Sequence, residues 1–165
     1  MYARFPLAVL LFALAGPISS SAYAMRSPSA HSAGGATAHL LLSIINRDRE
    51  QAGVGPLRWT RKLCHVALVH SLDMADHHYF AHDTPIGTSP FRRLAESGIR
   101  FAIAGENLGF GSGYGSYLDM LEVVEQSMLQ SPQHRSNLLR VAFRHVGIGI
   151  AVSAGALYVT EDFTG

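Results

Sequence analysis

Ala104-Gly105-Glu106-Asn107-Leu108 places a carboxylate beside a glycine, and 28 positions after Glu106 comes His134, in Ser131-Pro132-Gln133-His134-Arg135-Ser136-Asn137. Upstream stands another imidazole, His82, in Phe80-Ala81-His82-Asp83. Two imidazoles and a carboxylate at wide, loop-like spacings are raw material for a metal site or for acid–base chemistry. Their spacing does not choose between the two.

Composition narrows the field. With 13 Lys+Arg against 12 Asp+Glu, the chain has no basic footprint for nucleic acid and no polybasic membrane patch. Cys64 is the single cysteine, so no intramolecular disulfide framework exists. Its apolar, helix-like surroundings point to a buried small hydrophobe rather than a nucleophile. The glycines at 109, 111, 113 and 115 read as a mobile loop; without a following Gly-Lys-Ser/Thr they do not form a phosphate loop.

The first residues resemble a secretory leader. Arg4 supplies the positive end, Pro6 to Ala15 the apolar stretch, and Ala22-Tyr23-Ala24 the cleavage signal. That stretch is short of the roughly 20 residues a spanning helix needs. Residues 1–24 are therefore expected to be a signal peptide, 25–37 a flexible Ser/Ala/Gly-rich tether, and 38–165 one domain. The expected location is secreted or periplasmic, with no transmembrane anchor after cleavage.

The elements that must position the polar groups follow from periodicity. Leu40, Leu41, Ile44 and Ile45 mark a first amphipathic helix over 38–52, with Arg47 to Glu50 at its polar end. Thr60 can cap a second helix from Arg61 to about Ala75, apolar nearly all round and so central. Ser89-Pro90 opens a third, closed by Gly98. Ile99 to Ala104 is a candidate strand. Ser116 to Gln130 is a fourth helix, with Asp119, Glu122 and Glu125 read as a solvated face. The alternation of Val146, Ile148, Ile150 and Val152 with Gly147, Gly149 and Ala151 is one strand of a hairpin; Leu157, Val159 and Phe163 mark its return. Small residues along one face imply that another element packs very close there. The class is α+β, with helices layered on a small sheet that ends in a C-terminal β-hairpin.

In this order the chain resembles the CAP superfamily of cysteine-rich secretory proteins, antigen 5 and plant pathogenesis-related proteins, and is most similar to its small bacterial secreted (SCP-like) members. The matching stretches are Ile44-Ile45-Asn46 with Leu57-Arg58-Trp59, His70 to Ala75, Tyr79 to His82, Gly105 to Leu108, Ser131 to Leu139, His145 to Gly149, and Tyr158 to Phe163. The resemblance implies an α-β-α sandwich and a cleft whose two histidines are His82 and His134 and whose first acid is Glu106. The family's second acid falls on Ser131, and its preceding tryptophan on Met128. Glu161 stands where relatives commonly carry Gln.

Zinc on His82 and His134 is one implication, with Glu106 as a third ligand or as the acceptor that fixes an imidazole; no organic cofactor is implied. Glu106 and the histidines could instead simply stiffen the cleft. Arg135 could pair with Glu106 or with a terminal acid. The implied function is a non-enzymatic binding module for a small apolar ligand such as a lipid. The alternatives are a peptidase-like hydrolase with Glu106 as general base, and a cell-envelope interaction protein.

Overall fold

The alternation at the C-terminus builds the centre of the molecule. In this computed structural model, which describes residues 29–113 and 115–165, β3 (His145–Ser153) and β4 (Ala156–Thr164) form the expected hairpin. Before them come α1 (Ser29–Gln51), β1 (Arg58–Trp59), α2 (Arg61–His77), α3 (Pro90–Glu96), β2 (Ala104–Ser112), α4 (Tyr117–Gln130) and α5 (Pro132–Leu138). The sheet order is β1-β3-β4-β2; β1 runs parallel to β3, and the other pairs are antiparallel.

Register assigns each strand residue a face. Val146, Ile148 and Ile150 share one face with Val159 and Phe163, and pack with Leu41 and Ile45 of α1 and Met120, Val124 and Met128 of α4. On the opposite face lie three cross-strand rows: Gly147–Asp162–Glu106, Gly149–Thr160–Leu108 and Ala151–Tyr158–Phe110. α2 covers this second face. Its backbone lies so close that a Cβ on Gly147 would stand 2.1 Å from the Leu63 carbonyl carbon. Ser71 Oγ adds a bond to Thr160 Oγ1 at 2.8 Å. The close approach expected from the small residues is met by this helix.

Three expectations change. First, α1 begins at Ser29, so residues 29–37 are helical rather than a tether. Alanines 30, 33 and 36 are strong helix formers, and the helix propagates upstream from the segment anchored by buried Ala38, Leu41 and Ile45. The expected leader, and residues 25–28 of the tether, lie outside the described residues. Second, the strand is 104–112 rather than 99–104, and it takes in Gly109 and Gly111 of the expected mobile loop. Those glycines admit α4: a Cβ on Gly109 would meet Val124 Cγ1 at 2.3 Å. The chain turns only at Gly113, φ +79°. Third, the acids of α4 do not form one solvated face. Glu122 is exposed, Asp119 closes a capping box with Ser116, and Glu125 is 2% exposed. A short helix, α5, which no periodicity marked, carries His134.

Candidate functional site at the β2 edge

β2 is the edge strand beside β4, and its alternation sends neighbouring residues to opposite faces of the sheet. Glu106 points to the α2 side. Its side chain is 2% exposed, and both oxygens are engaged. The imidazole Nδ1–H of His82 donates to Oε1 at 2.7 Å, and Arg93 Nη2 of α3 donates to Oε2. Arg93 also fixes the His82 loop, donating through Nη1 to the carbonyls of His82 (2.7 Å) and Thr88 (3.1 Å). Ser89 Oγ caps the helix that carries Arg93.

Asp162 lies across the strand from Glu106 and is fully buried. Burial, then the adjacent Glu106 charge, pushes its carboxyl well above the usual range, and neither of its oxygens has a hydrogen-bond partner among the described residues. The His82 ring remains half-exposed. With Nδ1 committed to Glu106, its Nε2 is the nitrogen left for a ligand.

Asn107 points to the other face. Its Nδ2 donates to the carbonyl of His134 (3.2 Å) and to Glu161 Oε2 (3.2 Å). Asn137 Nδ2 donates to Asn107 Oδ1 (2.9 Å) and to the backbone oxygen of Glu106 (3.2 Å), covering a group on the open sheet edge. The two asparagines thus tie loops through side-chain-to-backbone bonds. They bring α5, and with it His134, to the strand that carries Glu106. His134 is partly buried and close enough to His82 for the two imidazoles to repel. Ser131 is half-buried at the α4–α5 junction, three residues before His134, and its side chain makes no capping bond.

The two histidines are pushed apart electrostatically. The Glu106 hydrogen bond raises the His82 pKa above 6.5, against opposing burial. Burial, then the His82 charge, lowers that of His134. Near pH 6.5 the cleft therefore pairs an imidazolium with a neutral imidazole. Raising a histidine's pKa on folding adds stability below about pH 6.5, which is lost as pH rises through the folded value. In Glu106→Gln the His82 pKa is expected to fall below its wild-type value, measured by NMR titration of ring carbon-bound protons. An unmoved value would remove Glu106 as the cause.

Several working residues were not singled out as site residues from the sequence. Arg93, rather than Arg135, takes the Glu106 carboxylate. His70 is 1% exposed, and its Nε2–H donates to the Ala81 carbonyl at 3.0 Å, holding the residue before His82. Asp162 acts only through cross-strand register. Cys64 is half-buried, and burial pushes its thiol up to about 11, which leaves it unreactive. Among the described residues, no group of three or more His, Cys, Asp or Glu side chains is arranged to hold a metal ion. With both Glu106 oxygens occupied, the donors left are two imidazoles. They do not make the three-ligand set of a catalytic zinc.

Helices layered on a four-stranded sheet that ends in a C-terminal hairpin are the architecture of a CAP domain, and the chain belongs to this family: residues 42–163 match the cysteine-rich secretory protein (CAP) family. It is 33% identical over 125 residues to the uncharacterized protein YkwD of Bacillus subtilis (strain 168), covering 76% of this chain and 46% of that protein. It is 32% identical over 123 residues to the uncharacterized membrane protein YlbC of the same organism, covering 74% of this chain and 33% of that one. The chain thus spans less than half the length of either. An extracellular SCP-domain protein of Bacillus anthracis superposes with a TM-score of 0.70 at 26% identity, over 91% of this chain and 45% of that structure. An outer surface protein of Borrelia burgdorferi shares the fold, with a TM-score of 0.69 at 20% identity over 78% and 91% of the two chains. No helix among the described residues is long and apolar enough to cross a membrane.

Proposed function

We propose that this is a secreted binding module rather than a hydrolase, with a ligand site across the β2 edge between His82 and His134. The observation that carries the reading is the engagement of Glu106. A general base needs a free oxygen within reach of a water; here a buried carboxylate holds an imidazole with one oxygen and a guanidinium with the other. Glu106 orients His82.

Exposed aromatic rings beside His82 support an apolar ligand portion. Phe80, two residues before His82, packs on Phe110 with ring centroids 5.8 Å apart, and Phe110 meets Tyr158 at 5.1 Å. Phe80 and Phe110 are 48% and 46% exposed. Phe110 shares its strand face with Glu106. Export is supported by the leader-like start and by the extracellular SCP-domain protein among its structural relatives.

Two titrations of metal-stripped protein test the reading. By calorimetry, zinc is expected to bind weakly and to lose that binding in both His82→Ala and His134→Ala. A fluorescent fatty acid is expected to bind wild type and to weaken by about tenfold in Phe110→Ser, the scale of one large apolar contact. Peptide hydrolysis abolished both by EDTA and by Glu106→Ala would overturn the module in favour of the hydrolase.

A further inference from the structure

We propose that the Glu125–Glu161 carboxyl pair is a pH-dependent positioning device for the helix that carries His134, acting through Asn107. The pair joins α4 to β4 on the sheet face opposite the Glu106 cleft. Glu125 is 2% exposed and Glu161 is fully buried. Among the described residues, neither Glu125 oxygen finds a hydrogen-bond donor, nor does Glu161 Oε1. The two carboxyls can satisfy each other only by sharing a proton.

Among the described residues, their surroundings supply no compensating cation. From α1, Asp48 faces Glu125 and leaves its own Oδ2 buried without a donor. Arg47 lines the same α1–α4 pocket but is held by Asp48 Oδ1 at 3.1 Å, with its side chain 62% exposed. Glu122 is the other acid of α4 there. β3 presents Ile148 across from Glu161, β2 presents Asn107, and α5 contributes the carbonyl of His134. The Glu106–Asp162 pair on the opposite face makes the contrast, because Arg93 and His82 neutralise it.

An uncompensated buried pair changes charge in the neutral range. Burial pushes Glu161 up to about 7, and burial with the facing Glu161 pushes Glu125 up to about 10. The pair therefore passes from uncharged to singly charged near pH 7. Its polar outlet is the bond from Asn107 Nδ2 to Glu161 Oε2, and the second hydrogen of that nitrogen serves the His134 carbonyl. Ionising Glu161 makes the first bond charge-assisted, about twice as strong as a neutral one. Asn107 is drawn toward β4, and α5 reseats at His134 and at Asn137.

The test needs no ligand, so its outcome is separate from the binding-module reading. Side-chain amide resonances of Asn107, and backbone amides of His134 and Arg135, are followed in the folded full chain from pH 5 to 9. A step near pH 7 is expected in both sets, kept in His134→Asn at Asn107 and lost in Glu161→Gln. Glu125→Gln should move the step to higher pH, because it removes the protonated carboxyl whose hydrogen bond holds the Glu161 value down, and Glu161 carboxyl carbon shifts in that variant serve if Glu161→Gln does not fold. The proposal is overturned by flat resonances in wild type, by a step that survives Glu161→Gln, by its loss in His134→Asn, or by movement of Asn107 without α5.

Discussion

Gly149→Ala is expected to cost about 3 kcal/mol or more and to leave the domain marginal or unfolded. A Cβ there would stand 2.2 Å from the Ala67 carbonyl carbon, 2.2 Å from the Leu68 nitrogen and 2.3 Å from the Ala67 oxygen. All three are backbone atoms in the middle of α2, so no rotamer change relieves the clash. The helix must lift, which separates Ser71 from Gly149 O and Thr160 and opens the face that holds Leu108 and Tyr158. Urea unfolding of wild type and variant measures the loss. Gly55→Ala is the control: its site has nothing within 4 Å and no left-handed φ, so it is expected to be near neutral. A stable, native-like Gly149→Ala would mean that α2 does not rest on the glycine row.

Arg49→Met is expected to cost roughly 3–5 kcal/mol. The side chain is fully buried. It donates to the carbonyls of Gly55 (2.8 Å), Leu138 (2.6 Å), Arg140 (3.3 Å) and Phe143 (3.4 Å). One guanidinium therefore closes the turn after α1 and fastens it to the connection between α5 and β3. Methionine fills much of the volume but leaves these carbonyls facing apolar atoms. Arg49→Lys is expected to recover only part of the loss, because a compact ammonium cannot reach the spread of acceptors that a planar fork spans. Thermal melting of the three proteins orders them; equal melting of Arg49→Met and wild type would show the network to be dispensable.

What could be read from sequence followed periodicity. The C-terminal hairpin was legible because period-two alternation is nearly unbroken from Val146 to Val152. α2 was legible as central because its first half is apolar all round. β2 was not, because glycine marks a loop and a strand pressed by a helix equally well. The deciding atoms belong to Val124 and Met128, in a different element. Arg49 and Glu125 were misread for a related reason. Each stands in a run of charges whose other members face water, and only the packing of α1 and α4 against the sheet assigns them inward. At the site, His82, Glu106 and His134 came from motif resemblance. Arg93 and Asp162 lie far from these motifs or depend on strand register, which no local pattern encodes.

The pairing of β2 also has a consequence for when the protein can exist. Ala104 pairs with Thr164, and Ser112 with Ala156. α2 finds its seat only on β3 and β4. A chain grown to residue 144 thus holds helices with no sheet beneath them and an edge strand with no neighbour. Contacts this distant in sequence form late and expose apolar faces while they wait. Folding closes from the C-terminus. A chain delivered N-terminus first, from a ribosome or through a membrane pore, stays open until its last strand has emerged.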